Sequence, residues 1–379
     1  MKIKLVSTYP PTRCGIAEHA KQLADALKKA GIEPEIIEIK DQTSSNPFHF
    51  INIARKAAKG TSKEDIIHIQ FHIGIFGKCL GKFVGIYIIP FLAWLKMLTK
   101  AKIVMALHDS PSKYYAMDGG KKEKLLFYYY KFIYVFLKLF VDQFITHSKN
   151  GERINIEEWK IDKDKIVTLP LGLPTNMKRL DEEKCKDKLG YHGKKVLILL
   201  GYIRGSKNYD MVLEAIKKLD QNTILLIIGK VQLAKDQIVY DRIVKKIDEL
   251  QIKDRVKLLG FVPDEQMPLF LNAADVGINL HTQGGGDFLS STMAMQLAYQ
   301  VPTLSADIPS FVILKKEEGC IDTFKEDDSV DLVKKINELL DSPSKTKYLK
   351  VQSEKYWKKN NWDEIGKRTK ELYLKLSGK

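Results

Sequence analysis

Short apolar runs alternate with segments of helical periodicity along most of the chain. Runs that are bounded by glycine, proline or charged residues predict strands in both halves. In the first half these are 2–7, 35–39, 66–70, 103–107, 143–146 and 166–169. In the second half they are 196–200, 223–228, 256–259, 276–280 and 301–305. This alternation is typical of the α/β fold class and predicts two Rossmann-like, doubly wound parallel sheets.

The length of the chain favours two domains, since 379 residues exceed what one hydrophobic core usually fills. We expect the first domain to span 1–175 and the second 190–355, joined by the polar segment 175–190. The segment 356–379 carries aromatic residues among lysines, and we expect a helix there that packs back on the first domain. Ligands of such sheets bind beyond the carboxyl ends of the strands, so the two domains are expected to face a cleft.

The charge balance narrows the choice of partners. Lysine and arginine number 62 against 47 aspartates and glutamates, a formal net charge of +15 that attracts phosphates, acidic lipids or nucleic acid. The basic residues are spread along the chain and no nucleic-acid-binding module is recognisable, so nucleic acid is not an expected partner.

The cysteines and the apolar runs indicate which cellular compartment we expect for the protein. The four cysteines lie far apart, which suggests neither a zinc site nor a disulfide framework and favours a reducing cytoplasm. No long apolar signal core opens the chain, so export by a recognisable signal is not expected. The apolar run 84–95 is too short to span a bilayer and predicts a buried or membrane-facing helix.

A strand in the second half leads into a candidate anion-binding loop. The run 196–200 ends at Gly201, and Arg204 and Lys207 follow just before a segment of helical spacing. Free backbone N–H groups and the dipole at a helix start favour a phosphate, and two cations would complete the site. The alternative is an ordinary connection with solvated basic residues.

A second candidate phosphate site follows the strand 276–280. The glycine-rich segment 281–287 leads to Ser290, Ser291 and Thr292, which open a helix with hydroxyl groups. Asp287 would accept several hydrogen bonds from sugar hydroxyls. The alternative is a flexible turn with an N-cap.

Polar residues also follow strands in the first half. Gly15 would let a ligand approach the backbone, or it serves only a turn. His19 faces the cleft or joins a packed surface, whereas His108 and Asp109 directly follow the strand 103–107, which is a cleft position. His72 ends a row of polar residues at alternate positions that favours hydrogen bonding over metal binding.

Together these loops resemble the retaining nucleotide-sugar glycosyltransferases of the GT-B fold, in the group 1 family that also contains sucrose-phosphate synthases and many mannosyltransferases. The resemblance covers almost the whole chain. The stretches that carry it are 11–19, 68–77, 107–109, 146–148, 201–207 and 290–302.

The resemblance implies roles for individual residues. The first domain would bind the acceptor and the second the nucleotide-sugar donor, with Arg204 and Lys207 on the diphosphate, assisted by Ser290, Ser291 and Thr292. Gly15 would let the backbone approach the diphosphate, His108 would contact the transferred sugar and Asp287 would lie near it. His19, His72 and Asp109 would lie on the acceptor side. No cofactor and no metal is implied, because cations and a helix start serve the leaving group.

Two departures from the family pattern weaken the donor assignment. Tyr202 occupies the position where the family commonly has arginine, so Arg204 is the substitute cation. Of two family glutamates, the first aligns with Asp287 and the second with Met295, which leaves the ribose contact missing or replaced by Gln296. The reaction class follows nonetheless: same-face transfer through an oxocarbenium-like state, with the leaving phosphate taking the acceptor proton.

The segment 121–140 mixes lysines with aromatic residues. It either rests on an anionic membrane surface or packs its aromatic side against the sheet. The first reading favours a lipid-linked or envelope glycan acceptor and a location at the inner face of the membrane. A non-catalytic sugar-nucleotide-binding protein and a GT-B epimerase or phosphorylase are the alternatives to a transferase.

Overall fold

The structure is a computed structural model that describes the chain except for 13, 113–120, 206, 232 and 281–289, and except for the side chains of 121–123. The described residues form two compact units, each with its own parallel sheet. One unit comprises Met1–Gly172 and Trp362–Lys379, and the other lies within Leu173–Asn361.

The first unit contains a six-stranded sheet of order β2-β1-β3-β6-β7-β8, and all of its neighbouring strands are parallel. Its strands are β1 (Ile3–Ser7), β2 (Glu35–Glu38), β3 (Ile66–Phe71), β6 (Lys102–Leu107), β7 (Gln143–Thr146) and β8 (Ile166–Thr168). A separate hairpin pairs β4 (Lys78–Cys79) with β5 (Phe83–Val84). Its helices are Gly15–Lys29, Pro47–Ala58, Ile88–Leu98, Lys121–Phe140, Lys149–Glu157 and Trp362–Ser377.

The second unit repeats the design with the strand order β11-β10-β9-β12-β13-β14. Its strands are β9 (Lys195–Leu200), β10 (Thr223–Ile228), β11 (Val256–Gly260), β12 (Val276–Asn279), β13 (Thr303–Ala306) and β14 (Asp322–Phe324). Its helices are Glu182–Leu189, Tyr209–Lys218, Gln237–Glu249, Met267–Ala273, Ser291–Ala298, Pro309–Glu318, Ser329–Leu340 and Pro343–Asn360.

The predicted strands are confirmed in both halves, and the α/β class with them. Strand β9 is buried from Val196 to Leu200 because helices cover both faces of a parallel sheet. Two features were not predicted: the β4–β5 hairpin and the edge strand β14. Both are too short to give a periodic signal.

The polar segment 175–190 is not simply a linker. Helix Glu182–Leu189 occupies much of it, with Asp181 as its N-cap and Gly190 in the left-handed conformation at its end. Its Lys186 is almost fully buried and its Nζ lies 3.0 Å from an Oδ2 of Asp275, which ties the helix to the second unit. A buried ion pair, rather than an apolar face, holds this helix, so hydrophobic patterning missed it.

The terminal segment differs in its bounds from the prediction. Helix Pro343–Asn360 runs through position 356 and belongs to the second unit, and the chain passes to the first unit after Asn361. Helix Trp362–Ser377 then packs on helix Gly15–Lys29. Gly366 permits this close approach, because a Cβ there would lie 2.6 Å from the carbonyl oxygen of Ala26.

The apolar run 84–95 corresponds to helix Ile88–Leu98, whose Ile88, Phe91, Leu92 and Leu95 are buried. In the described part of the chain, no helix combines the length and the hydropathy needed to cross a membrane.

Candidate functional site

In the second unit, the predicted anion-binding residues meet at the carboxyl end of β9. Gly201 follows the strand with a φ of +103°, a conformation that favours glycine. A Cβ at Gly201 would lie 2.9 Å from Cγ2 of Thr292 and 3.2 Å from Nζ of Lys207. Gly201, Lys207 and Thr292 are therefore immediate neighbours, although 91 positions separate the first from the last.

A second glycine makes room for this turn. A Cβ on Gly229, which follows β10, would lie 2.0 Å from the carbonyl oxygen of Gly201. No side chain is tolerated at that distance without displacing the turn. The site therefore depends on a glycine from a neighbouring strand that the sequence motif does not include.

Lys207 is a partly buried cation. Its Nζ donates a hydrogen bond of 3.2 Å to the carbonyl oxygen of Leu200. Burial, reinforced by the positive charge of Arg204, lowers the pKa of Lys207 to about 8. Among the described residues Lys207 forms no ion pair, so an anion bound here would relieve an electrostatic penalty that the folded chain carries.

Arg204 lies beside Tyr202. Its guanidinium carbon is 5.4 Å from the centre of the Tyr202 ring, within the range of a cation–π contact. Tyr202 thus helps to orient the guanidinium of Arg204.

The helix Ser291–Ala298 begins beside the same turn. Ser290 is its N-cap, and its Oγ accepts a hydrogen bond of 3.2 Å from the backbone N–H of Met293. Ser291 is exposed at the first position of the helix, and Oγ1 of Thr292 donates to Oδ1 of Asn279 over 3.4 Å. Asp287 lies outside the described residues.

The suggested ribose contact by Gln296 is wrong in this structure. Gln296 is fully buried, and its Oε1 accepts a hydrogen bond from Nδ2 of Asn279. Its amide packs on Gly277, where a Cβ would lie 2.7 Å from Cδ of Gln296. Met295 packs against the apolar core instead of replacing a polar contact. Helix periodicity alone could not reveal that position 296 faces the sheet.

In the first unit, three histidines stack at the ends of β6 and β7 and on the first helix. The ring centres of His19, His108 and His147 are 4.8 to 5.0 Å apart, and each residue is only 7% exposed. Burial holds the pKa of all three below the usual range, so they are neutral at pH 7. His19 also contacts the ring of Trp362, 5.3 Å away, and so belongs to a packed polar cluster.

A hydrogen-bonded row of buried side chains joins this cluster. Nε2 of His108 lies 2.5 Å from Oε1 of Gln70, and Nε2 of Gln70 lies 3.2 Å from Nε2 of His68. Nδ1 of His68 lies 2.5 Å from the hydroxyl oxygen of Tyr373 on the terminal helix. His68 and Gln70 of the polar row on β3 thus form hydrogen bonds with buried side chains of the same unit, and a role of the row toward a ligand stays a prediction.

His72 and Asp109 form a separate pair. Nδ1 of His72 accepts from the backbone N–H of Gly74 over 2.9 Å, so Nε2 carries the proton and faces Oδ2 of Asp109 at 3.1 Å. Burial raises the pKa of Asp109, against the effect of His72. Gly15 begins the helix Gly15–Lys29, and a Cβ there would meet no atom within 4 Å, so protein packing does not explain the glycine.

Sequence reasoning missed His147, Trp362 and Tyr373 as parts of the cluster. A signal for His147 existed: it follows β7 just as His108 follows β6, and Leu107 pairs with Thr146 in parallel register. Trp362 and Tyr373 gave no such signal, because they come from the far end of the chain. Among the described residues, no group of three or more His, Cys, Asp or Glu side chains is arranged to hold a metal ion.

Comparison with known proteins identifies the second unit. Residues 181–360, which include Gly201, Lys207 and Thr292, match the model of the family described as glycosyl transferases group 1. The match covers 180 of the 379 residues, slightly less than half of the chain. The group 1 segment thus contains the whole candidate anion site.

Two curated relatives are similar to part of the chain. The chitobiosyldiphosphodolichol beta-mannosyltransferase of Candida albicans is 26% identical over 210 residues, or 52% of this chain and 45% of that protein. The enzyme of the same name from Debaryomyces hansenii is 22% identical over 260 residues, which cover 60% of this chain and 54% of that protein. The chain thus spans about half the length of the curated relatives it matches.

Solved structures extend the likeness beyond the group 1 segment. Anabaena Alr3699/HepE in complex with UDP superposes with a TM-score of 0.76 at 14% identity, covering 99% of this chain and 100% of that one. The sucrose-phosphate synthase of Thermosynechococcus elongatus superposes with a TM-score of 0.74 at 16% identity, covering 100% of both chains. A glycosyltransferase from Rickettsia africae gives 0.75 at 16%, covering 99% and 98%. These likenesses show the GT-B fold.

Proposed function

We propose that the protein is a glycosyltransferase that moves a hexosyl unit from a nucleotide-diphosphate sugar to a glycan or lipid-linked acceptor. The observation that carries the proposal is Lys207, a partly buried cation with a lowered pKa placed beside Gly201 and Thr292 at the end of β9, inside the segment that matches the group 1 model. The curated relatives support a lipid-linked acceptor, since their names specify a dolichol-linked substrate. HepE, crystallised with UDP and with UDP-glucose, supports a nucleotide sugar as donor.

In this proposal the second unit binds the donor. Lys207 and Arg204 hold the diphosphate, and the hydroxyls of Ser290, Ser291 and Thr292 supplement them. These charges act most strongly in the transition state, where the leaving diphosphate gains negative charge. No metal ion is needed for that task.

The first unit supplies the sugar and acceptor contacts. His108 contacts the transferred sugar and Gly15 allows the backbone to approach the diphosphate. Asp287, from the second half of the chain, is assigned to the sugar by the resemblance alone. His72 and Asp109, which are hydrogen-bonded and partly exposed, stay on the acceptor side. His19 acts through packing, because it is buried among His108, His147 and Trp362.

A thermal-shift screen tests the donor site. UDP, GDP, ADP and their sugars are added to the wild type, Arg204→Ala and Lys207→Ala, with Lys217→Ala as an exposed-lysine control on the following helix. We expect one nucleotide to stabilise the wild type and the control but neither site variant. Stabilisation without turnover would favour a non-catalytic sugar-nucleotide-binding protein, and no shift with any nucleotide would contradict the proposal.

The stereochemistry is a separate proposal. We expect retention, with attack on the face from which the diphosphate leaves. The names of the curated relatives specify a β-mannosyl product, which an α-linked donor would give only by inversion. The one-bond carbon–proton coupling constant at the anomeric centre of the first-formed product, read by NMR, decides between them, and inversion would overturn retention without affecting the transferase proposal.

Contact with an anionic membrane surface is the last part of the proposal, and helix Lys121–Phe140 supports it. One side of the helix is buried, including Ile133, Tyr134 and Leu137. The opposite side exposes an apolar stripe at helical spacing, and Lys124, Lys131 and Lys138 line one edge of it. The residues of the apolar stripe are Leu125, Tyr128, Phe132, Val135 and Leu139, each at least half exposed.

The β4–β5 hairpin extends this surface. The ring of Phe83 lies 5.8 Å from that of Tyr129, whose hydroxyl donates to the carbonyl oxygen of Val84 over 2.7 Å. Both Phe83 and Leu80 are exposed beside the helix.

Sedimentation with phosphatidylglycerol vesicles tests the membrane contact. We expect binding at low salt that Val135→Glu weakens, whereas Val330→Glu, at a similarly exposed valine of the other unit, leaves it unchanged. Equal binding of the two variants, or none by the wild type, would remove the membrane from the proposal.

A further inference from the structure

We propose that Gln70, His68 and Tyr373 are positioning residues that hold His108 with its proton on Nε2 and its lone pair on Nδ1. This inference deepens the proposed function and rests on it only for the role of His108 toward the sugar. The row of hydrogen bonds itself is a property of the first unit alone.

The orientation of the Gln70 amide determines which group donates and which accepts in each hydrogen bond of the row. Its Oε1 faces Nε2 of His108 at 2.5 Å, and an amide oxygen only accepts, so that ring nitrogen must carry the proton.

The amide nitrogen of Gln70 determines the tautomer of His68. Nε2 of Gln70 donates to Nε2 of His68 at 3.2 Å, so the proton of neutral His68 lies on Nδ1. That N–H points at the hydroxyl oxygen of Tyr373, 2.5 Å away. His68 and His108 therefore carry opposite tautomers, because one amide presents its oxygen to one ring and its nitrogen to the other.

Burial makes the arrangement stable. Gln70 and Tyr373 are fully buried and His68 is 1% exposed, so water does not replace a lost partner. Burial lowers the pKa of His68 to about 3, which keeps the ring neutral at physiological pH. Among the described residues Nδ1 of His108 has no hydrogen-bond partner, so its lone pair is available to a hydroxyl group of a sugar.

The row connects distant parts of the sequence. Tyr373 lies on the terminal helix, 305 positions after His68. The helix Trp362–Ser377 thus does more than cover apolar surface: it supplies the acceptor that ends the row. This explains why a tyrosine, rather than a phenylalanine, occupies a fully buried position on that helix.

Nitrogen-15 NMR of the protein labelled at histidine tests the proposal without any ligand, since ring shifts report which nitrogen carries the proton. We expect Nε2–H at His108 and Nδ1–H at His68 in the wild type. In Gln70→Glu, an isosteric change, both ends of the side chain accept. His68 should then move its proton to Nε2, with Tyr373 as the donor to Nδ1, while His108 keeps its tautomer.

A second variant probes the terminal helix. In Tyr373→Phe the N–H of His68 loses its acceptor, so the amide of Gln70 can reverse and His108 should shift toward Nδ1–H. Tyr134→Phe is the matched control, since it removes a buried tyrosine hydroxyl of the same unit that makes no hydrogen bond. His108 should keep its tautomer in that variant.

The outcomes separate the two proposals. Equal tautomers at His68 and His108, Nδ1–H at His108 in the wild type, or no response of His68 to Gln70→Glu would overturn the positioning role. The expected tautomers in a protein that transfers no sugar would support the row and contradict only the function of His108. In an active protein, Tyr373→Phe should reduce kcat by several-fold and Tyr134→Phe should not.

Discussion

The two units place polar groups at the same end of similar parallel sheets but treat them differently. In the first unit, His68, Gln70, His108 and Tyr373 satisfy one another, and burial keeps the rings neutral. In the second unit, Lys207 is partly buried, with a backbone carbonyl as its hydrogen-bond partner and another cation nearby. One region is electrostatically closed, whereas the other has an uncompensated cation that, in our proposal, a bound anion would neutralise.

This difference shows how one topology supports two kinds of chemistry. A closed network fixes the orientation of a neutral hydrogen-bonding group, at little electrostatic penalty. A cation that is partly removed from water lowers the stability of the empty protein, and in our proposal a bound diphosphate restores it. Each of the following predictions tests either the neutral network of the first unit or the cation site of the second.

The largest expected effect is acid destabilisation of the first unit. His19, His68, His108 and His147 have folded-state pKa values below the unfolded value of about 6.5, so the unfolded chain binds more protons as pH falls. The four neutral rings contribute fully to the free energy of unfolding above pH 6.5. Below pH 6.5 the free energy of unfolding falls by up to about 1.4 kcal/mol per pH unit for each ring that stays neutral in the folded protein.

Urea unfolding between pH 7.5 and 5.5 measures this loss. Replacing His147 by glutamine should reduce the slope, whereas replacing the exposed His192 should not. A stability that is independent of pH over this range would contradict the closed, neutral cluster.

The next effect is a trade between stability and activity at Lys207. Its folded-state pKa of about 8 lies below the unfolded value, so the charged side chain destabilises the empty protein at pH 7. Lys207→Met should raise the free energy of unfolding by about 2 kcal/mol and reduce kcat by roughly 10²- to 10³-fold.

The same change at the exposed Lys217 should alter neither quantity. The destabilisation by Lys207 should fade as pH rises from about 8 toward the unfolded value, because the folded protein loses that proton first. A less stable Lys207→Met protein would mean that the cation is already compensated within the fold.

A third prediction concerns the backbone turn that holds the anion site. In Gly229→Ala the added Cβ would meet the carbonyl oxygen of Gly201 at 2.0 Å, so the turn must shift. We expect a loss of about 2 kcal/mol in stability and weaker nucleotide binding. Gly205→Ala is the control, because the atom nearest to its Cβ is 3.8 Å away; equal effects of the two would exclude the steric account.

The smallest expected effect is at Thr292. Valine keeps the shape beside Gly201 but removes the hydroxyl, so the affinity for the nucleotide should fall by about 1 kcal/mol, or roughly fivefold. Thr292→Ser should retain most of the affinity for the nucleotide. Isothermal titration with the nucleotide found in the thermal-shift screen measures both, and a valine variant that binds like the wild type would remove Thr292 from the site.

Much of the fold could be predicted from hydrophobic patterning. Buried parallel strands are continuous apolar runs, so β1, β3, β6, β9 and β10 were clear in the sequence. Helix Glu182–Leu189 was missed because a buried ion pair of Lys186 holds it. The end of the second unit at Asn361, rather than near 356, was also missed, since helix Pro343–Asn360 is charged and weakly amphipathic.

The candidate site was predicted only in part. Residues that directly follow strands, such as His108 and Lys207, could be selected because strand ends are where ligands bind in parallel sheets. Gln296 was wrongly considered for a ribose contact, because a helical pattern does not say which face meets the sheet. The roles of Asp287 and Gly15 stay predictions.

The sequence by itself determined the long buried strands, the α/β class and the cations and imidazoles that follow strands, because these depend on local periodicity and turn chemistry. The tertiary structure decided the partners. It brought Thr292 and Gly229 against Gly201, and it placed Tyr373 at the end of the row that begins at His108. Those contacts join residues far apart in the chain, and only the packing of the folded elements sets their distances.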